Sequence, residues 1–376
     1  MRIYKAFPAY STYLNLFYSN NPCIRDKSYT DQLIWLKNDY FPWVLSWSQF
    51  NDDKDVEVFE TIHNDFYLQQ AWANSHWENE NDWQKKIVLA QIKAFRPDIC
   101  VIYPPELFTP EFVDEIRDML DYPVLIGGYD GMDRKSIELY EGYDFVITCS
   151  RFICDYYAQH KVPTYPLEFG FDPRVLSAIA TSTNKNTVGF SGSIFGEIHD
   201  DRLELIKFLI NKGIDLTISS EFEYEKHYSL ISRKMLRSIR NGTFQDFYDH
   251  YRIHKRNIGP LYGREMYQFL NDSDTVLNLH GDRIQFAANV RLYEATGVGT
   301  CLLTDWKQNI ADIFEPDKEI LTFRSNEEAS DKLAFLRKHE SIRRTIAQNG
   351  QKRTLAEYSY RNRIPGVIKF IKSLCG

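Results

Sequence analysis

The sequence predicts an α/β protein of two Rossmann-like domains, each a parallel sheet covered by helices, facing each other across a cleft. Three observations carry this expectation. The chain has 376 residues, more than one hydrophobic core usually organises. Short β-type runs alternate with helical ones through its first half, the pattern of a parallel sheet with helices on its faces. After the polar stretch 181–187, which contains Ser, Thr, Asn and Lys and no apolar residue, the alternation starts again. With 43% hydrophobic and 26% charged residues and no low-complexity tract, the chain should be globular throughout.

In the first cycle the expected strands are 2–6, 56–62, 99–103, 124–127, 145–149 and 164–169. Helical segments fit between them at 29–37, 83–95, 110–120 and 151–160. Turn residues follow several strand ends, notably Pro104-Pro105, Gly127-Gly128 and Pro173. Ligands of open α/β sheets bind at the carboxyl ends of the strands, so these turns mark the expected binding edge.

The second cycle opens on Val188-Gly-Phe-Ser-Gly-Ser, a strand running into a glycine turn. An amphipathic helix at 202–211, strands at 215–219, 275–279, 300–304 and 320–323, a short helix ending at Gly297 and a helix at 327–339 follow. The run 361–374 reads as a last helix, interrupted by Pro365 and Gly366, with Pro365 marking a bend. The expected domains are residues 1–182 and 183–358, with 359–376 packing back on the first.

Composition excludes some classes of function. A net charge of −7 argues against tracking of nucleic-acid phosphates, which needs a concentrated basic surface. The strongest basic group, Arg233, Lys234, Arg237 and Arg240, then His250, Arg252, His254, Lys255 and Arg256, is interleaved with aromatic residues. It reads equally as a solvated helical face or as an acceptor or membrane-surface patch. The six cysteines fall in no metal-ligand spacing and read as reduced thiols of a cytosolic protein. No apolar leader and no run of the ~18 residues needed for a membrane span is present, so the expectation is a cytoplasmic protein that can visit the inner face of a membrane.

The chemistry concentrates in Asn289-Val-Arg-Leu-Tyr-Glu-Ala-Thr-Gly-Val-Gly-Thr-Cys-Leu-Leu-Thr-Asp305. It reads as cap, short helix, glycine stop, strand and turn, with Asn289 as N-cap and Gly297 as C-cap. Unpaired amides at such a helix start favour a phosphate, and Arg291 in the first turn can add a charge-assisted bond. Glu294, at i+3 from Arg291, can accept both hydroxyls of a ribose.

This segment resembles the nucleotide-sugar site of the GT-B glycosyltransferases. The closer resemblance is to the spore-maturation CgeB-like glycosyltransferases, whose Asn-x-Arg-x-(aromatic)-Glu-Ala-x-Gly, then Leu-Leu-Thr-Asp, is matched from Asn289 through Asp305. Further matches are Gly263-x-x-Met266-Tyr267, Asn278-Leu-His280-Gly-Asp282, Phe314-Glu-Pro, Lys318-Glu-Ile320 and Gly350-Gln-x-Arg353, with Phe171-Asp172-Pro173 and Gln70-x-Trp72 in the first half. The resemblance implies transfer of a sugar from a nucleotide-diphosphate donor to a glycan, lipid-linked or protein acceptor in bacterial surface polysaccharide or glycoconjugate synthesis. It implies no metal or other cofactor, the donor being a substrate. Many retaining members carry a second glutamate eight residues before the ribose-binding one; here that position is Phe286, so the resemblance leaves the outcome, retaining or inverting, open. The alternatives are a non-catalytic nucleotide-binding scaffold of this fold and a nucleotide-sugar epimerase.

Further donor contacts are expected from Ser191, Gly192 and Ser193, in the turn after the first strand of the second cycle, and from His280, Arg283 and Thr304 at later strand ends. Asp305 frames the donor or caps the next helix. For the base that takes the acceptor's proton, Asp130 in Gly127-Gly-Tyr-Asp-Gly131 is the leading candidate, with His63 and Glu106 as rivals. A turn-forming Asp and a structurally bonded His are the plain alternatives. Asp272-Ser-Asp274 has the spelling of a metal-sugar motif but precedes a strand.

Overall fold

In a computed structural model of the chain, the described residues are 1–41, 43–74, 82–131, 136–181, 187–194, 199–221, 244–281 and 285–375. The chain divides into two compact units, Met1–Pro173 with Glu357–Gly376, and Arg174–Ala356. The polar stretch 181–187, of which 182–186 lie outside the described residues, thus falls within the second unit's span.

The first unit is built on six parallel strands, β1 (Arg2–Phe7), β2 (Glu57–Ile62), β3 (Ile99–Ile102), β4 (Leu125–Asp130), β5 (Phe145–Thr148) and β6 (Thr164–Pro166), in the order β2-β1-β3-β4-β5-β6. Ile3 of β1 stands between Val58 of β2 and Ile99 of β3 in the register. Every residue of β3 and β5 is buried, which explains their nearly unbroken apolar composition.

Two expectations are corrected here. Gly127-Gly128 is not a turn, because β4 continues through both to Asp130. The glycines serve close packing: a Cβ on Gly127 would lie 2.2 Å from the Phe145 ring, and one on Gly128 would lie 2.7 Å from Tyr140. Pro365 does not interrupt the last helix, which runs unbroken over Tyr360–Leu374. That helix packs on the first unit's own sheet, with Phe370 against Phe145 and Tyr165 at ring-centroid distances of 5.9 and 5.2 Å. Gly366 lets it approach, since a Cβ there would lie 2.2 Å from Tyr165 Oη.

A fully buried ion pair joins β1 to β2, with Lys5 Nζ 2.9 Å from Glu60 Oε1. Lys5 also donates to the Val44 carbonyl, and Glu60 accepts the backbone N–H groups of Trp47 and Ser48 at 3.0 and 2.7 Å. The pair therefore pins the 43–48 segment over the sheet edge. Such a pair holds its surroundings in place only because nearly all its bonds are made.

The second unit has five parallel strands, β7 (Val188–Ser191), β8 (Leu216–Ser219), β9 (Thr275–Asn278), β10 (Cys301–Asp305) and β11 (Leu321–Phe323), in the order β8-β7-β9-β10-β11. Its core joins Phe190, Leu277 and Leu303 of the sheet to Leu205, Ile206 and Leu209 of the helix Asp200–Asn211 and Leu333 of the helix Asn326–Lys338. The long helix Glu340–Glu357 was not expected, for it buries only Ile346, Ala347, Gly350 and Thr354 and has no broad apolar stripe. Among the described residues no helix is long and apolar enough to cross a membrane. Cys100, Cys149 and Cys301 are buried, and Cys23 and Cys375 are exposed.

Candidate functional site

The helix Arg291–Gly297 sits between β9 and β10 in the chain and has only seven residues. Asn289 lies just before it and accepts the Arg291 N–H at 2.8 Å through Oδ1. The next amides are also engaged, Leu292 N–H to the Asn289 carbonyl, and Tyr293 and Glu294 N–H to the Val290 carbonyl. The expectation of unpaired amides at this helix start is therefore corrected: its own turn consumes them. At the other end the left-handed residue is Gly299, at φ +81°, rather than Gly297. Thr300 N–H returns to the Ala295 carbonyl and Gly299 N–H to the Thr296 carbonyl, the paired bonds of a Schellman stop. Gly297 is the last helical residue, and its carbonyl accepts from Gln351.

Arg291 and Glu294 meet on one face, with Nη1 2.7 Å from Oε2 and both side chains largely buried. Tyr267 donates its hydroxyl to Glu294 Oε1 at 3.4 Å, and Arg291 Nη1 touches Met266 Sδ. Burial pushes the Glu294 carboxyl above its ordinary range, with Arg291 and Tyr267 only partly offsetting this. Among the described residues, Glu294 Oε2 accepts no aligned hydrogen bond and Arg291 Nε donates none. A buried carboxylate and guanidinium with capacity left over can still take ligand hydroxyl or phosphate groups.

From Asn289 a chain of hydrogen bonds runs across both strand ends. Asn289 Nδ2 donates to Asn278 Oδ1 at 3.1 Å, Asn278 Nδ2 donates to Thr304 Oγ1 at 2.9 Å, and Thr304 Oγ1 donates to Asp305 Oδ1 at 3.2 Å. His280 closes it, its backbone N–H lying 3.0 Å and its ring Nδ1 2.7 Å from the same Asp305 oxygen. Lys307 Nζ lies 3.2 Å from Asp305 Oδ2. Burial alone would raise the Asp305 carboxyl, but His280 and Lys307 outweigh it and hold the group below its ordinary range.

Arg202 ties this edge to the neighbouring turn. Its Nε donates to the Leu279 carbonyl at 2.8 Å and its Nη1 to the Ser193 carbonyl at 2.9 Å. Ser191 ends β7, and Gly192 N–H donates to the Ser219 carbonyl. The structure thus links Asn289, Thr304 and His280 in one network, pairs Arg291 with Glu294, and connects Ser193 to β9. Arg283 lies outside the described residues, as do Arg233, Lys234, Arg237 and Arg240. Sequence reading assigned no role to Arg202, Tyr267 or Lys307. Tyr267 and Asn278 stood in matched motifs, whereas nothing in the local sequence singles out Arg202 from any other arginine on an amphipathic helix.

In the first unit the candidate bases lie at carboxyl strand ends, His63 after β2, Glu106 after β3 and Asp130 at the end of β4. They do not converge: β1 and β3 separate β2 from β4, roughly 14 Å at the ~4.8 Å spacing of neighbouring strands. Asp130 is fully buried and accepts the Tyr157 hydroxyl at 3.0 Å. Glu106 is exposed. His63 is buried, with Nδ1 3.0 Å from Gln84 Oε1 and the Tyr103 backbone also against the ring, and Nε2 has no aligned hydrogen bond among the described residues. Burial pulls the His63 pKa down to about 4, which keeps the ring neutral at neutral pH.

Solved structures resemble the chain over its whole length. Anabaena HepE in complex with UDP-glucose matches with a TM-score of 0.61 at 12% identity, covering 99% of this chain and 100% of that one. A glycosyltransferase from Rickettsia africae matches with a TM-score of 0.56 at 10% identity, covering 100% and 98%. Sucrose-phosphate synthase from Thermosynechococcus elongatus also gives 0.56, at 9% identity, covering 100% and 99%. The fold is that of the GT-B glycosyltransferases. At these identities the likeness is one of fold, and a GT-B fold alone does not settle chemistry. Residues 204–368, which contain the network around His280 and Glu294, match the family model described as glycosyl transferase-like. A search of curated protein sequences returned no match.

Proposed function

We propose that the chain transfers a hexosyl group from a nucleoside-diphosphate sugar to a hydroxyl of a glycan, lipid-linked or protein acceptor, in the cytoplasmic stage of bacterial surface polysaccharide or glycoconjugate synthesis. The observation that carries this reading is the buried Arg291–Glu294 pair, with capacity left on both side chains, inside the segment matched by the glycosyl transferase-like model. Glu294 takes the ribose hydroxyls, and Arg291 faces the phosphates. The closer kinship with CgeB-like enzymes rests on the motif from Asn289 to Asp305. HepE was solved with UDP-glucose, which supports a donor of that class.

In the reaction the acceptor oxygen bonds to the anomeric carbon as the bond from that carbon to the phosphate oxygen breaks, and the diphosphate leaves with the electron pair. Arginine and lysine side chains stabilise the leaving charge, with no metal ion in this scheme. The candidates for the base remain His63, Glu106 and Asp130. Charge state favours His63 over Asp130, since the buried His63 ring is neutral and can take up a proton, whereas the enclosed Asp130 carboxylate already accepts from Tyr157.

Calorimetric titration with UDP, GDP and dTDP tests the donor site. One of them should bind the wild type and lose at least about tenfold in affinity in Arg291→Ala and in Glu294→Ala, the weight of a charge-assisted contact. Equal affinity in both variants would overturn the assignment.

A further inference from the structure

His280 is held more tightly than a strand-end histidine needs. Its backbone N–H and its Nδ1 both engage Asp305 Oδ1, and only 1% of its side chain is exposed. Its Nε2 is buried with no hydrogen-bond partner among the described residues. The bonds around it have a definite direction. The Arg291 N–H fixes Asn289 Oδ1 as acceptor, which leaves Asn289 Nδ2 to donate to Asn278 Oδ1; Asn278 Nδ2 then donates to Thr304 Oγ1, and the Thr304 hydroxyl proton turns to Asp305. Every group in the series delivers a proton toward the Asp305 carboxylate. Asp305 is therefore left as acceptor only, and the His280 Nδ1 carries its proton toward it.

We propose that Asp305 is a positioning residue that commits the His280 Nδ1 proton, so that Nε2 is presented to the diphosphate of the bound donor and donates to it as an imidazolium. This rests on the donor-site reading above and adds to it a residue pair and the part of the ligand it recognises. The charges around the ring favour an anion. Among the described residues, the charged groups that the contacts bring to this strand end are Asp305 and Lys307 from the end of β10 and Arg202 from the helix Asp200–Asn211, whose guanidinium bonds the carbonyl immediately before His280. Lys307 and Arg202 thus flank a carboxylate that His280, Thr304 and Lys307 already satisfy. A diphosphate accepts from Nε2 with a charge-assisted bond and lies favourably beside these cations, which a neutral hydroxyl ligand does not.

The test uses the full-length protein labelled with 15N-histidine and titrated with UDP, GDP, ADP and dTDP, each beside its parent nucleoside. In the free wild type the His280 Nδ1 resonance should be that of a protonated nitrogen. On saturation with the diphosphate that binds, Nε2 should move to the protonated range, and the nucleoside alone should not move it. Asp305→Asn should lose about tenfold or more in affinity for the diphosphate, the effect of one charge-assisted hydrogen bond, while nucleoside affinity stays within about twofold. If a diphosphate binds the wild type and Nε2 does not move, or if a folded Asp305→Asn binds it as tightly as the wild type, the proposal is overturned and the donor site stands. Should Asp305→Asn fail to fold, the wild-type resonances decide by themselves. Failure of every diphosphate to bind would remove the donor-site reading and the role of His280 with it.

Discussion

Asn289 serves the helix and the network at once, accepting the Arg291 N–H and donating to Asn278. Replacing it by alanine removes an N-terminal cap and leaves Asn278 Oδ1 without its donor. Asn289→Ala should therefore lower unfolding stability by about 1–2 kcal/mol, the range for a lost cap, as measured by urea denaturation followed by circular dichroism. No loss of stability would mean that the side chain is not engaged as described. Asn289, Arg291 and Glu294 were legible in the sequence because they lie at the start of a single helix, where i+2 and i+3 spacing decides what meets. The partners that complete the site were not: Arg202 reaches across 77 residues to the Leu279 carbonyl, and Asn278 across 26 to Thr304. No local spacing encodes such contacts. The amides expected to be unpaired at the helix start are engaged locally instead, by the Asn289 side chain and by the Asn289 and Val290 carbonyls.

At the scale of elements, buried polar groups decide more than propensity does. Asp65 caps the helix Phe66–Ala73 through the Leu68 N–H, and its other oxygen lies 2.9 Å from the Tyr18 hydroxyl, which is 3.0 Å from Gln32 Oε1. The hydroxyl has one proton, so a protonated Asp65 that donates to Tyr18 lets Tyr18 donate to Gln32. Burial pushes Asp65 up to about 7, against the opposing pull of the Leu68 N–H, the Tyr18 hydroxyl and the Tyr67 N–H. The folded pKa thus lies above the unfolded value of about 3.9. Between these limits the folded state keeps a proton that the unfolded state has lost, so stability falls as pH rises from about 4 to about 7, by at most about 1.4 kcal/mol per pH unit. Asp65→Asn mimics the protonated form, with its amide donating to Tyr18. Denaturation at several pH values should show a flatter profile for Asp65→Asn and a variant more stable than wild type near pH 8; parallel profiles would refute the assignment. The alternation of strand and helix was readable here because parallel strands are buried on both faces. The end of β4 was not, because glycines that read as a turn instead clear space for Phe145 and Tyr140. Pro365 likewise read as a break, yet the helix continues through it, with Val367, Ile368 and Ile371 buried beyond it.

For the whole molecule, two five- and six-stranded parallel sheets, each with its own core, reproduce the fold predicted from 376 residues of repeated alternation. Motif matches scattered from Gly263 to Arg353 become intelligible as the setting of one helix. Met266 and Tyr267 border Arg291 and Glu294, Gly350 lies so close to the Glu319 carbonyl that a Cβ would stand 2.4 Å from it, and Gln351 bonds the Gly297 carbonyl. The matches therefore mark the housing of the helix as much as the ligand. Its chemistry is decided by what happens to a bound donor, because a transferase, a scaffold and an epimerase could share this architecture. The most direct measurement is mass-spectrometric analysis of UDP-, GDP- and dTDP-hexoses incubated with the wild type and with Glu294→Ala. The account predicts that one donor yields its nucleoside diphosphate and a released or transferred sugar with the wild type, and that the variant loses this activity. An isomerised nucleotide sugar with no diphosphate released, or no turnover of any of these donors, would contradict it.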